Sequence, residues 1–155
     1  MVRRLRDSSG VTLVELMVTM VILSILAACI LPLSEVSRKR SREIELRQCL
    51  REIRSALDEY KRYADDGKLA KQAADNGYPQ DLEVLVKGVD LAGPVPVKKK
   101  FLRRIPKDPM TEEGQWGLRS YSDEPDSEIW GGQDVYDVYS KSDEVALDGT
   151  PYNQW

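Results

Sequence analysis

A single carboxylate, Glu15, lies near the start of a run that is otherwise apolar: from Leu16 to Pro32 only Thr19 and Ser24 interrupt it. About 20 consecutive apolar residues suffice to cross a bilayer, and an ionised Glu in such a run is costly unless it sits at the interface or meets a cation. Glu15 therefore needs a partner. A second group of acids, Asp123, Glu124, Asp126, Glu128, Asp134 and Asp137, reads as a solvated loop. Its spacing is not that of an EF-hand, which takes acidic ligands at alternate positions followed by Gly and a Glu. Gly131-Gly132 reads as a turn, since it lacks the Lys and the spacing of a phosphate cradle. No His occurs in the 155 residues, which removes the commonest general base and the commonest zinc ligand and speaks against an enzyme. The two cysteines, Cys29 and Cys49, would stand about 30 Å apart on one helix and could not pair within a chain.

Few elements are available to hold these groups. Residues 35–63 contain no Gly or Pro, and apolar residues recur at Leu46, Leu50, Ile53, Leu57, Tyr60 and Ala64, the three-and-four spacing of one buried helical stripe. Glu43 with Arg47 and Asp58 with Arg62 stand four apart as potential ion pairs. Continued back to Val11, the helix would be about 80 Å long, with Pro32 kinking or locally unwinding it. The stripe is short for a free coiled coil and is expected to cover the chain's own sheet. The apolar half before Pro32 then has lipid, or copies of itself, as its environment.

Further along, residues 78–86 predict a turn feeding a short helix, with Asp81 or Gln80 near its start and Gly88 at its end. Residues 101–109 predict an extended piece whose prolines confine it to an edge or loop. The best strand candidates are residues 116–121 and 135–140, which suggest a three-stranded antiparallel sheet. Charge is uneven: residues 35–63 carry nine basic and six acidic side chains, residues 64–155 eleven basic and eighteen acidic. That acidic half speaks against nucleic acid as a partner. Basic residues flank the apolar run on both sides (Arg3, Arg4, Arg6; Arg38, Lys39, Arg40, Arg42), so the positive-inside rule leaves its orientation undecided.

The basic stretch, Gly10 and the run VTLVELMVTMVILSILAACILP together resemble the class III leader of type IV pilins and type II secretion pseudopilins. A secretory signal peptide would have a shorter apolar core followed by a small-residue cleavage site, and a plain anchor has no reason to carry Glu15. The resemblance implies cleavage after Gly10 by a prepilin peptidase and N-methylation of Val11. It also implies pairing of Glu15 with the new amino terminus of a neighbouring subunit. Val11 stands where the family usually has Phe. Tyr78-Pro79, Leu82 with Leu85, the Pro-x-Asp-Pro ending at Pro109, the run Asp137-Val138-Tyr139-Ser140 and Trp155 narrow the resemblance to the major pseudopilin of type II secretion, the general secretion pathway protein G family. Met110-Thr111 replace that family's usual Trp-Gly, and its Gly-rich carboxy-terminal loop is shorter here, over residues 141–153. Many type IV pilins close a carboxy-terminal loop with a Cys pair, and this chain has no Cys after position 49.

The expectation is thus an α+β, pilin-like fold: a long amino-terminal α-helix, its first half membrane-spanning, packed on a small antiparallel β-sheet. The chain would divide into a leader (residues 1–10), a transmembrane and assembly helix (11–34), the helix's amphipathic continuation (35–64) and a periplasmic globular domain (65–155). By resemblance it is a non-enzymatic subunit of a type II secretion pseudopilus, a filament that promotes protein export. Its implied partners are other copies of itself, the prepilin peptidase, minor pseudopilins and the inner-membrane assembly platform. It would be anchored by a single pass in the inner membrane. A type IV pilin serving adhesion, motility or DNA uptake is the alternative, and a single-span envelope protein binding a ligand through its acidic domain is the alternative of another class. The resemblance also implies Ca²⁺ in the carboxy-terminal loop, with Asp143 as the best-placed ligand and Asp148 as a second. Both are equally readable as solvent-facing turn residues.

Overall fold

A computed structural model describes residues 10–70, 76–94 and 97–155, and leaves the side chains of residues 29–33 undescribed. The longest element, α1 (Leu13–Asp65), starts at a local cap. The Thr12 hydroxyl accepts the Glu15 N–H (3.2 Å) while the Thr12 carbonyl accepts the Leu16 N–H (3.1 Å), which satisfies donors that a helix start otherwise leaves open. The backbone is helical across position 32. The kink expected at Pro32 falls among the residues whose side chains are undescribed.

Two compact units divide the chain, Met1–Lys39 and Arg40–Trp155. In the first, the described apolar side chains of α1 are exposed on every face, from Leu13 through Leu26. Among the described residues no helix is long and apolar enough to cross a membrane; in the sequence the apolar run continues through residues 29–33.

The second unit is built on the predicted stripe. Leu46, Leu50, Ile53, Leu57 and Tyr60 of α1 are buried, joined by Cys49 and Ala56, whereas Ala64 is half-buried. They form one cluster with Leu82, Leu85, Val89, Leu102, Trp116, Val135, Val138, Ala146 and Tyr152, so this half of the helix covers its own domain. Each fully buried Leu or Ile there contributes about 1.5–3 kcal/mol. The expected pairing of Glu43 with Arg47 does not form. Glu43 instead accepts the Leu147 N–H (2.7 Å) and the Tyr152 hydroxyl (3.0 Å), while Arg47 lies 3.6 Å from Asp148. Tertiary partners outcompete the exposed helical pair because they are fixed by the core beneath them.

α2 (Leu82–Lys87) starts at Asp81, whose carboxylate accepts the Glu83 N–H, and stops at Gly88, as the sequence predicts. The sheet differs from expectation. Instead of three strands in one sheet there are two two-stranded antiparallel ladders: β1 (Val89–Asp90) with β2 (Lys98–Lys99), and β3 (Trp116–Arg119) with β4 (Asp137–Ser140). The stretch from residue 101 to 109 stays outside both. Its first amides, of Phe101 and Leu102, donate to the Leu85 carbonyl at the end of α2, and Pro106 and Pro109 have no amide to give a ladder. That stretch is locked as a loop by Asp108, whose buried carboxylate accepts the Met110 N–H (2.9 Å) and the Ser140 hydroxyl (2.7 Å). Pairing of β3 with β4 places Gly117 opposite Tyr139. A Cβ at 117 would lie 2.2 Å from the Tyr139 ring, so the ring occupies the space that Gly117 leaves free. The chain ends in a 3-10 turn, Tyr152–Gln154. The architecture is α+β, a long amino-terminal helix with small antiparallel sheets.

Candidate functional site

The predicted site residues fall in two places. Around the amino-terminal end of α1, Gly10 is exposed, and a Cβ added there meets nothing within 4 Å among the described residues. The fold itself does not ask for glycine at this position. Val11 is exposed, and Glu15 is exposed in the first turn of α1. A carboxylate there faces the positive end of the helix dipole. Thr12 and Glu15 also have the Thr-x-x-Glu spacing of a capping box, of which the Thr12 half is formed. Thr12 went unremarked in the sequence, although that spacing was its signal. The two hydroxyls further along the apolar surface are satisfied within the helix: Thr19 donates to the Leu16 carbonyl (2.9 Å) and Ser24 to the Met20 carbonyl (2.8 Å). Back-bonding of this kind leaves no side-chain donor to be desolvated in an apolar surrounding.

In the second unit, the carboxy-terminal loop separates the two candidate calcium ligands. Asp143 is exposed at a depression of about 190 Å³ that it shares with Glu128, Tyr139, Lys141 and Asn153. The Asn153 side-chain oxygen is buried and has no hydrogen-bond partner among the described residues. Asp148 lines a different depression, with Arg40, Glu43, Ile44, Arg47 and Leu147. There it accepts the N–H (3.0 Å) and hydroxyl (2.6 Å) of Thr150. The Thr150 hydroxyl and N–H, then Arg47, hold its carboxyl below the usual range. Among the described residues no three His, Cys, Asp or Glu side chains are grouped to hold a metal. The donors beside Asp143 that suit a hard cation are Glu128 and Asn153, not Asp148, and Lys141 stands among them.

Two groups that the sequence did not single out tie this end of the chain to α1. Arg54 grips Asp137 with both Nε (2.7 Å) and a terminal nitrogen (3.2 Å), and reaches the carbonyls of Val138 (3.1 Å) and Trp155 (2.8 Å). Tyr152 is fully buried, and its hydroxyl pKa is pushed up by burial first and then by the Glu43 carboxylate it donates to. No spacing rule exposes such pairs, because their partners lie about a hundred residues apart in the chain.

Residues 5–29 match the family described as the prokaryotic N-terminal methylation motif. The chain therefore carries a leader of the type IV pilin-like kind, whose proteins are structural. No curated protein and no solved structure matches the chain.

Proposed function

We propose that this chain is a subunit of a type II secretion pseudopilus, cleaved after Gly10, methylated at Val11 and assembled through α1 into a filament that promotes export. The observation that carries the reading is the methylation motif over residues 5–29, set on the first part of α1, residues 13–26, whose apolar side chains are exposed on all sides and whose one carboxylate, Glu15, sits in the first turn. An isolated helix of that kind has no reason to stay in water. Other copies of the same helix cover its apolar surface, and lipid does so before assembly. The open space around Gly10 supports a glycine kept for the peptidase, which must fit a backbone without a side chain before the bond it cuts.

Cleavage frees an α-amine on Val11. Paired with a neighbour's amine in a dry helix bundle, the Glu15 carboxylate offsets its own desolvation and fixes the axial register between subunits. The subunit is held in the inner membrane by a single pass, with the second unit in the periplasm. Its partners are the prepilin peptidase, the assembly platform and minor pseudopilins. The type II assignment, over a type IV pilin, is supported by the Tyr78-Pro79, Pro-x-Asp-Pro and Asp-Val-Tyr-Ser segments and by the lack of cysteine after Cys49. In the same reading Ca²⁺ binds at Asp143. Electron microscopy of cells overproducing the chain with a type II assembly machinery tests the proposal: short periplasmic filaments containing it are expected. Filaments formed only with a type IV pilus machinery would move it to the alternative.

A further inference from the structure

The second unit carries an acidic projection, hydrogen-bonded at its base, and a basic groove along α1. The projection is the loop joining β3 to β4. Asp123 pins its base by accepting the N–H groups of Ser120 (2.7 Å) and Gly131 (3.0 Å), at a position where a side chain on residue 131 would collide with that carboxylate. Arg119 donates to the Ser127 carbonyl (3.1 Å), and the Trp130 indole donates to the Asp134 carbonyl (2.8 Å). Held in this way, one loop presents Ile129, 83% exposed, and the exposed acids Glu124 and Asp126. A large aliphatic side chain so exposed gains by leaving water.

The groove, about 270 Å³, lies along α1 and is lined by Arg47, Leu50, Arg51, Arg54 and Trp155. Two of its arginines are engaged: Arg54 as described, and Arg47 over the Trp155 ring at 4.1 Å. Arg51 is exposed and makes no hydrogen bond or ion pair among the described residues. An apolar floor of Leu50 and Trp155 under a free guanidinium complements an apolar tip flanked by carboxylates.

We propose that the loop of one copy docks in this groove of a second copy, Ile129 against Leu50 and Trp155, with Glu124 and Asp126 toward Arg51. Projection and groove share no residue, so the contact is heterologous and repeats from copy to copy, as an open filament requires. The proposal rests on the filament reading for its place in an assembly, but the contact itself is separately testable.

The test uses the full-length chain in cells carrying the assembly machinery, with the photoreactive residue p-benzoylphenylalanine in place of Ile129. Irradiation should give a ladder of dimers and higher multimers, with the crosslinked peptide mapping to residues 47–54 of the second copy. Arg51→Glu should lower the crosslink about tenfold by setting like charges together, and adding Glu124→Arg and Asp126→Arg should restore it. An unchanged melting temperature of Arg51→Glu shows that the fold is not the cause. Filaments without the ladder, or a crosslink to another protein, overturn this contact and leave the filament reading standing. No filaments from the wild-type chain overturns the filament reading, and the crosslink in membranes still decides the contact: a ladder upholds it and its absence overturns it.

Discussion

At the scale of single residues, Gly10 and Tyr152 illustrate opposite kinds of constraint. Among the described residues nothing lies within 4 Å of a Cβ built at Gly10, so Gly10→Leu should leave the second unit's melting temperature unchanged while the leader stays attached. Mass spectrometry of the mature wild-type protein should begin at Val11, and any other start removes the cleavage reading. Tyr152, by contrast, is constrained wholly from within. Its hydroxyl titrates higher when folded than the usual value of about 10, because burial and the Glu43 carboxylate disfavour the phenolate. The stability it contributes is complete below the unfolded value and is lost as pH rises toward the folded one. A denaturant midpoint measured from pH 8 to 11 should therefore fall as pH passes 10, and Tyr152→Phe should be less stable at pH 8 but flatter with pH. An equally steep fall in Tyr152→Phe would place the alkaline sensitivity elsewhere.

Among the elements, local pattern was a good guide wherever local physics decides. The three-and-four spacing from Leu46 to Tyr60 gave the buried face of α1, and Asp81 with Gly88 bracketed α2, because helix periodicity and caps are written within a few residues. Both main strands fall within the predicted runs, β3 in residues 116–121 and β4 in residues 135–140. The expected third strand does not form, and nothing near residues 101–109 announces that the first two amides, of Phe101 and Leu102, are taken by the Leu85 carbonyl. The partners of Glu43 and Arg54 were equally invisible, being set by the closed fold. β3 and β4 offer a direct test: Gly117→Ala drives a methyl into the Tyr139 ring and should cost about 1–3 kcal/mol in chemical denaturation. The companion Tyr139→Leu should recover part of that loss, and no recovery would mean that the strain lies in the backbone. For the carboxy-terminal loop, Ca²⁺ bound at Asp143 should stabilise the full-length chain in detergent by about 2.7 kcal/mol at 100 times its Kd. A melting temperature that does not rise with Ca²⁺, or that rises equally in Asp143→Ala, removes Asp143 as a ligand. Asp148→Ala should leave the Ca²⁺ response intact, because Asp148 lines a separate depression.

For the molecule as a whole, the open question is what Glu15 is for, since it stands where two roles meet. As the third residue of a Thr-capped helix it stabilises the start of α1 by the dipole, an effect of about 0.3–1 kcal/mol. As the partner of a neighbour's amine it would decide whether copies assemble in register. The two roles predict different sets of variants. If capping were its main purpose, Thr12→Val, which removes the hydroxyl that accepts the Glu15 N–H, should impair filaments about as much as Glu15→Leu does. If pairing is its purpose, Thr12→Val should cost only helix stability, on the order of 1 kcal/mol, and leave filament number close to wild type. Glu15→Leu, an apolar and better helix-forming side chain, should then be processed and inserted normally yet yield few filaments. Glu15→Asp keeps the charge and moves it one methylene back toward the backbone. It should assemble poorly under the pairing role, which depends on reach, and nearly normally under the capping role, which does not. Counting filaments by electron microscopy across these three variants, with processing checked by mass spectrometry in each, separates the roles. Normal filaments from Glu15→Leu would refute the pairing.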